Sequence, residues 1–329
     1  MVGVKMPKFL RFCAAAVLLS ALVGCGSGTV SNPGGPGAPG AEGSITVDTA
    51  RGPVTLPGPA TKVVSLEWSL TEELRALGVT PVGNAESGIY NSWVTAPGAR
   101  LPAEVRDVGT RAEPSIEQIA ALKPDLIVAS GDRVAANYDR LAAIAPVLVF
   151  DYTAPPQLET MKKTFTALAT AVGEPDKATE VLGRMDDAVA DLAGRLDRAG
   201  KSGTEYALAQ AYTADAVPTI RMMTDEAFSA QVLGLAGLRN GWRGRPDDWG
   251  MTTVGVESLT QVPGSATFLS VAADDDNPFT GALAGNPVWR ELDFVEQGRA
   301  VPLDSGTWLF GGPLSAIQLL DETGKALGV

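Results

Sequence analysis

The chain has 329 residues, of which 45% are apolar and 19% are charged, as in an ordinary globular protein. Its 26 basic and 38 acidic residues give a formal net charge of −12, and an acidic chain without a basic run argues against nucleic-acid binding. Because the chain contains no histidine and only two cysteines, Ser-His-Asp and Cys-His catalysis are excluded and a directly bound zinc, copper or nickel ion is disfavoured.

The N-terminal segment has the pattern of a secretory signal peptide. A basic head is followed by an apolar run, Ala14 to Val23, that is too short to span a bilayer. The run ends in Leu22-Val23-Gly24-Cys25, and a Leu-x-Gly-Cys ending resembles the lipobox of bacterial lipoproteins. The resemblance implies that residues 1–24 are removed and that Cys25 carries the lipid. An ordinary cleaved signal with a chance cysteine is the alternative.

Residues 25–43 are predicted to form a disordered tether. The segment is rich in glycine and proline and carries one charge, on Glu42, so it cannot bury enough apolar surface to fold. We therefore expect the folded body to begin at Ser44, outside the cytoplasmic membrane, where the lipid on Cys25 would anchor it to the outer face of that membrane.

The first part of the body predicts a parallel sheet. Ile45–Val47 and Val54–Leu56 have the pattern of a small hairpin, and strands then alternate with helices. The predicted strands are Lys62–Leu66, Thr80–Gly83, Asp125–Val128 and Val147–Phe150, and the predicted helices are Thr71–Leu77, Ser115–Leu122 and Ala135–Ile144. This alternation is typical of a parallel sheet that helices cover on both faces.

A long amphipathic helix is predicted over Pro156–Val172, because apolar residues recur on one face at helical spacing. The elements that follow are the helix Asp176–Arg198, the strands Tyr206–Ala211 and Ala266–Val271, and the helices Phe228–Leu235, a short one at Glu257, Asn286–Leu292 and Leu314–Leu327. The simplest assembly is an α/β protein with two lobes, residues 44–155 and 174–329, joined by the helix at 156–173. A cleft between the lobes is the expected ligand site.

Sequence strings spread over about residues 60–328 match a known family. They are Ser115-Ile116-Glu117-Gln118-Ile119-Ala120-Ala121-Leu122-Lys123-Pro124-Asp125-Leu126-Ile127-Val128, Ile144-Ala145-Pro146, Asn286-Pro287-Val288-Trp289, Gly298-Arg299-Ala300-Val301 and Gly311-Gly312-Pro313-Leu314. The chain resembles the substrate-binding lipoproteins of ABC importers for iron-siderophores and vitamin B12. The resemblance implies two Rossmann-like lobes joined by a long rigid helix, the helical-backbone class of the periplasmic-binding-protein type.

Within that family, the ferric-hydroxamate (ferrichrome) binding members are the most similar. The shared strings are Leu66-Glu67-Trp68, Asp107-Val108-Gly109-Thr110-Arg111-Ala112-Glu113-Pro114, Trp249-Gly250-Met251-Thr252 and Thr307-Trp308-Leu309-Phe310-Gly311. The resemblance implies that Arg111 contacts the hydroxamate oxygens and that Trp249 and Trp308 wall the pocket, with Trp68 as a fourth candidate. The alternatives are a surface ion pair for Arg111 and packing roles for the tryptophans.

One loop departs from these members. Where they carry a tryptophan and a tyrosine that touches the ligand, this chain has Val128-Ala129-Ser130-Gly131-Asp132-Arg133. Asp132 and Arg133 could replace an aromatic contact by a polar one. So few basic residues, Arg111 together with Arg133, indicate a ligand of low charge rather than a strongly anionic catecholate.

A trihydroxamate already supplies six oxygens to Fe(III), so the resemblance implies a preformed iron complex as ligand and no directly bound metal or cofactor. Arginine supplies donors for its oxygens, and tryptophan supplies flat apolar walls. Haem or cobalamin binding on the same fold is the near alternative, and an extracytoplasmic hydrolase that uses two carboxylates is a remote one. We expect no enzymatic activity.

Glu117 and Glu257 each occupy the first turn of a predicted helix, one in each lobe. Complementing the helix dipole would account for either residue. By resemblance, however, such glutamates dock onto arginines of the permease. The partners implied are therefore an ABC permease with its ATPase, the iron-siderophore and the membrane through the lipid anchor, and we expect a monomer.

Overall fold

The computed structural model describes residues 43–329, apart from the side chain of Asp132. The predicted signal peptide, the lipidation site Cys25 and nearly all of the predicted tether lie outside the described residues. Within the described part, no helix combines the length and the apolarity that a membrane span requires.

The first lobe contains the predicted hairpin and the predicted parallel sheet. The hairpin pairs β1 (Ile45–Val47) with β2 (Val54–Leu56) in antiparallel register. The sheet strands are β3 (Val63–Ser65), β4 (Gly83–Asn84), β5 (Arg106–Asp107), β6 (Leu126–Ser130) and β7 (Val147–Phe150). They lie in the order β5-β4-β3-β6-β7 and every neighbouring pair is parallel.

Five helices belong to this lobe, and three of them were predicted in outline. They are α1 (Trp68–Ala76), α2 (Ser87–Trp93), α3 (Ile116–Leu122), α4 (Gly131–Val134) and α5 (Tyr138–Ala142). At the start of α3 the side chain of Ser115 accepts a hydrogen bond from the backbone N–H of Gln118, as the capping pattern predicts. Helix α1 begins earlier than predicted, because the Glu67 side chain caps it.

The second lobe contains a mixed sheet. Its strands are β8 (Glu205–Ala214), β9 (Val217–Met223), β10 (Arg239–Asn240), β11 (Met251–Val254), β12 (Thr267–Val271) and β13 (Ala300–Pro302). They lie in the order β11-β9-β8-β12-β13, with β10 also paired to β8. Strands β8, β12 and β13 pair in parallel, whereas β9 and β11, which were not predicted as strands, pair in antiparallel register.

The helices that join and cover the lobes agree closely with the predicted ones. They are α6 (Gln157–Val172), α7 (Pro175–Arg198), α8 (Phe228–Leu235), a 3-10 helix (Val256–Gln261), α9 (Pro287–Arg290), α10 (Asp293–Glu296) and α11 (Pro313–Ala326). The predicted apolar face of α6 is buried. Gly173 ends α6 in the left-handed conformation, with φ of 79°.

One continuous apolar core reaches from the first sheet to the second. It includes side chains of β6 and β8 together with the buried faces of α1, α6, α7 and α11. The outer face of each sheet has a smaller core of its own. Because interiors pack densely and deform little, a core shared by both lobes favours a stiff connection between them.

Two buried carboxyl groups lie where α1 meets α11. The Glu72 carboxylate accepts hydrogen bonds from the backbone N–H of Gly312 and of Ser315, each at 2.8 Å, and from the Ser315 hydroxyl. It thereby satisfies the donors at the start of α11. Burial raises the pKa of Glu72, and these hydrogen bonds oppose the increase.

Glu73 is fully buried beside Glu72, and within residues 43–329 neither of its carboxyl oxygens has a hydrogen-bond partner. Burial, assisted by the charge of Glu72, raises the pKa of Glu73 well above its ordinary value. The folded protein therefore holds a proton on Glu73 that the unfolded chain releases as the pH rises above the ordinary carboxyl range.

The Glu73→Gln variant is expected to change the pH dependence of stability. Because the folded-state pKa is raised, the stability that Glu73 contributes is complete below its ordinary pKa and is lost as the pH rises towards the folded value. Relative to the wild type, the variant should gain up to about 1 kcal/mol of unfolding free energy per pH unit between pH 5 and pH 7. Urea unfolding at several pH values measures this difference.

The matched control is Glu72→Gln, which should destabilise the fold at every pH, because it places amide hydrogens against the donors at the start of α11. A difference between wild type and Glu73→Gln that stays constant with pH would contradict a protonated Glu73.

Candidate functional site

The candidate site lies at the carboxyl ends of the strands of the first sheet. Strands β3 and β6 are neighbours, yet the chain continues from β3 towards β4 on one side and from β6 towards β7 on the other. Such a reversal of strand order is where open α/β sheets form a binding crevice. Glu67 follows β3 and Arg133 follows β6, so both residues stand at this point.

A cavity of about 280 Å³ opens there, between the two lobes. Its walls carry three guanidinium groups, one carboxylate and four apolar side chains. The lining residues are Glu67, Arg111, Arg133, Arg221, Trp249, Met251, Trp308 and Phe310. The cavity thus combines positive charge with aromatic surface, which suits a ligand that bears both oxygen atoms and apolar segments.

Arg111 is held by two carboxylates and an aromatic ring. Its backbone N–H and its Nε donate to the two carboxylate oxygens of Glu86, at 3.1 and 2.8 Å, and its Nη1 donates to Glu67 Oε1 at 3.2 Å. The guanidinium stacks over Trp68, with Cζ 3.8 Å from the ring centroid. These contacts fix the plane of the group and leave Nη2 without a partner in residues 43–329.

Arg133 meets the same buried carboxylate from the other side. Its Nε lies 2.9 Å from Glu67 Oε2, an ion pair whose angles do not satisfy a hydrogen bond. The guanidinium also lies 5.6 Å from the centroid of the Trp249 ring, within the range of a cation–π contact. The neighbouring Asp132, which was singled out in the sequence with Arg133, has a side chain outside the described part of the structure.

Arg221 enters the cavity from strand β9 of the second lobe. Its Nη1 donates to Gln210 Oε1 at 3.2 Å and its Nη2 donates to the Tyr212 hydroxyl at 3.1 Å, while Cζ lies 4.6 Å from the Tyr212 ring centroid. Both partners are neutral. Among the described residues, Arg221 has no acidic partner, and its charge remains for a ligand.

The apolar wall is a continuous series of aromatic rings. Trp249 meets Phe310 at a centroid distance of 5.9 Å, Phe310 meets Trp308 at 5.2 Å, and Trp308 meets Trp68 at 5.3 Å. Trp308 is 9% exposed, and its indole N–H is buried without a partner in the described chain.

The loop that carries Trp249 is fixed by its backbone. Asp247 Oδ1 accepts hydrogen bonds from the backbone N–H of Trp249 at 2.9 Å and of Met251 at 3.1 Å. Gly250 between them has a φ of 73°, and a Cβ there would lie 2.5 Å from the backbone nitrogen of Ala227. Only glycine fits this position, which supports the orientation of the adjacent indole.

Besides two cavities of about 410 and 470 Å³, two larger ones, of about 500 and 550 Å³, lie elsewhere in the described chain. The first is lined by charged side chains of α7 and α11, where Asp191 and Asp321 already pair with Arg195 and Lys325. The second lies between strand β1 and helix α6. None of these four combines aromatic rings with arginines from both lobes, so the cavity of about 280 Å³ is the candidate site.

Three of the four residues predicted to contact a ligand, Arg111, Trp249 and Trp308, line the cavity. Trp68 does not line it. It is 3% exposed, its indole N–H donates to the carbonyl of Ala85 at 3.2 Å, and its ring lies beneath Arg111. Contact of these residues with a ligand stays a prediction.

The predicted docking residues lie outside the cavity. Glu117 is exposed in the first turn of α3, and Glu257 is exposed in the first turn of the 3-10 helix, which was expected only as a short helix. Over residues 43–329, no group of three or more histidine, cysteine or acidic side chains is arranged to hold a metal ion.

Sequence reasoning missed four of the lining residues as site residues. Glu67, Met251 and Phe310 belong to the shared strings, but only their tryptophan neighbours are predicted to contact a ligand. Met251 and Arg221 lie on strands that were not predicted. For Arg221 a signal exists: it is a lone charge within the apolar run Ile220-Arg221-Met222-Met223, where a strand turns it away from its buried neighbours.

Comparison with known proteins gives consistent matches. The model of the periplasmic binding protein family matches residues 63–307. The Fe(3+)-citrate-binding protein YfmC of Bacillus subtilis is 26% identical over 294 residues, covering 89% of each chain. The iron(3+)-hydroxamate-binding protein FhuD of Escherichia coli is 29% identical over 272 residues, covering 81% of this chain and 87% of the relative.

A solved structure is similar over the same region. The crystal structure of the siderophore-binding protein FhuD from Vibrio cholerae, bound to Fe3+-Desferal, matches with a TM-score of 0.72 and 28% sequence identity. The match covers 81% of this chain and 97% of that one.

Proposed function

Because the chain belongs to the periplasmic binding protein family, we propose that it is the extracytoplasmic substrate-binding component of an ABC importer and that it captures a preformed ferric siderophore in the cavity between its lobes. The observation that carries the proposal is the meeting of three arginines with an aromatic wall. Guanidinium groups only donate hydrogen bonds and cannot ligate iron, so they suit the oxygen atoms of a complex that already encloses the metal.

The first candidate ligand is a ferric hydroxamate, as the sequence resemblance implies. Two similar proteins support it: one is named for iron(3+)-hydroxamate and the other was solved with Fe3+-Desferal. In this proposal Arg111 donates to the hydroxamate oxygens, while Trp249 and Trp308 pack against the linkers.

The second candidate is a ferric complex of citrate type. It is favoured by Arg221, whose neutral partners leave its charge uncompensated, and by the similarity to a protein named for Fe(3+)-citrate. The sequence-based expectation of a weakly charged ligand rests on Arg111 and Arg133 alone. In the structure, Arg221 adds a third cation to the cavity. More negative charge on the ligand would complement it.

Catalysis forms no part of the proposal, because the family consists of substrate-binding transport components. A carboxylate-based hydrolase, the remote alternative from sequence, has no feature of the site in its favour. Haem and cobalamin are retained as comparison ligands.

We expect ferric siderophores to quench the tryptophan fluorescence of residues 44–329, because Trp249 and Trp308 line the cavity. Titrations with ferrichrome, ferric desferrioxamine, ferric citrate, haem and cobalamin identify the class. The Arg221→Gln variant should weaken the preferred complex about tenfold or more, since a hydrogen bond to a charged group is worth about 1.5–3 kcal/mol.

Arg221→Gln is the informative variant because the partners of Arg221 are neutral, so that no buried charge is left unpaired. Its matched control is Arg243→Gln, which removes a 66% exposed arginine from a surface ion pair and should leave every affinity unchanged. Saturable quenching by haem or cobalamin alone would reject both siderophore classes, and no response to any of them would reject the proposed ligand altogether.

We also propose that lipid on Cys25 anchors the protein to the outer face of the cytoplasmic membrane. The support is the lipobox-like ending of the apolar run. The Cys25→Ser variant is expected to appear in the soluble fraction and to lose incorporation of labelled fatty acid. The Cys13→Ser variant should keep both its membrane association and its labelling, because residue 13 lies in the segment that is removed. Membrane retention of Cys25→Ser would reject the anchor.

Finally, Glu117 and Glu257 are proposed to dock onto basic residues of the permease. Both are exposed, one on each lobe, so a permease that contacts both residues contacts both lobes at the same time. The Glu117→Lys and Glu257→Lys variants should keep siderophore affinity but reduce iron uptake by cells, and the double variant should abolish it. Glu104→Lys, at another exposed glutamate of the first lobe, is the control. Normal uptake with the double variant would disprove docking through these residues.

A further inference from the structure

We propose that Glu67 is a specificity-determining residue: its buried carboxylate is an internal counter-ion that sets how much negative charge a ferric complex can bring into the cavity. This inference rests on the proposed function and deepens it. Glu67 is the only acidic side chain among the eight described residues that line the cavity, and it is 3% exposed.

The position of Glu67 is determined by helix α1. Its Oε1 accepts the backbone N–H of Trp68 at 2.8 Å and so caps the start of the helix. The same oxygen accepts Arg111 Nη1 at 3.2 Å, and Oε2 lies 2.9 Å from Arg133 Nε. One carboxylate therefore stands between two guanidinium groups that would otherwise repel each other.

The charges that face the ligand follow from these contacts. Arg111 is already compensated by Glu86, which approaches it from outside the lining, and it shares Glu67. Arg133 has Glu67 as its acidic partner among the described residues, and Arg221 has none. The cavity keeps an excess of positive charge, and the charge of Glu67 determines how large that excess is.

Without the charge of Glu67, Arg133 would lose its acidic partner among the described residues, and Arg111 would keep only Glu86. A buried ion that loses its partner is strongly disfavoured unless another group replaces it. An anionic ligand would supply that group, and a cationic one would add to the repulsion. Removal of the charge should therefore shift selectivity towards anionic complexes rather than weaken all complexes equally.

The test compares ligands that share one ferric core and differ in the charge of a pendant group. Ferric desferrioxamine B carries a pendant amine and is cationic, its N-acetyl derivative is neutral, and its N-succinyl derivative is anionic, while the ferric trihydroxamate core is the same. Dissociation constants are measured by tryptophan quenching at fixed low ionic strength for the wild type, Glu67→Gln, Arg133→Gln and the double variant.

In Glu67→Gln the ratio of the dissociation constants, cationic over anionic, should rise at least about tenfold relative to the wild type, because the two ligands differ by two unit charges and each charge interacts with the Glu67 carboxylate at about 10 Å through partly desolvated protein. Arg133→Gln should lower the ratio by a similar factor. The double variant removes both halves of the ion pair and should return the ratio close to the wild-type value. It is also the better tolerated change if Glu67→Gln alone does not fold.

If Glu67 only caps helix α1, Glu67→Gln should instead change all three dissociation constants by the same factor. That outcome, or a double variant whose ratio departs from the wild type as far as either single variant, would overturn the role of Glu67 and leave the proposed function intact. If the wild type bound none of the three derivatives, no ferrichrome and no ferric citrate, the proposed function and this inference would both be rejected.

Discussion

The hydrogen bonds between Glu72 and the start of α11 are the constraint on which the site depends. Glu72 lies one and a half turns beyond Glu67 on the same short helix, α1, and the segment that carries Trp308 and Phe310 leads directly into α11. The carboxylate of Glu72 thus fixes the aromatic wall relative to the arginines that Glu67 holds. The Tyr152 hydroxyl adds a hydrogen bond to the carbonyl of Gly311 in the same segment. The charged and aromatic halves of the cavity therefore share one support.

The shared apolar core gives this support its stiffness. Because α6, α7 and α11 belong to the core that reaches both sheets, the lobes cannot separate widely without exposing buried apolar surface. Capture of a ligand would then depend on small adjustments of side chains such as Arg133, Trp249 and Trp308, rather than on a large closure. A stiff protein loses little conformational freedom on binding, and this favours affinity.

Elements with strong local signals could be predicted, and those that depend on tertiary partners could not. Apolar periodicity located α6 and α8 nearly to the residue, and apolar runs located β7 and β12. The β8–β9 hairpin was missed because its turn uses Asp215 and Ala216, both with positive φ, in place of the asparagine or glycine that marks such turns. Arg221 was lost with that strand. The burial of Trp68 and the two roles of Glu67 depend on which strand ends lie side by side, and this is decided by the order of strands in the sheet.

The arrangement of the arginines has an evolutionary consequence. Arg221 bonds only to neutral partners, and Arg133 shares the buried carboxylate of Glu67 with Arg111, so either arginine can be exchanged while Glu67 keeps a basic partner. The residues that join the lobes, Glu72 and the start of α11, take no part in lining the cavity. A descendant of this chain could thus acquire a ligand of different charge through one or two substitutions while the scaffold is inherited unchanged.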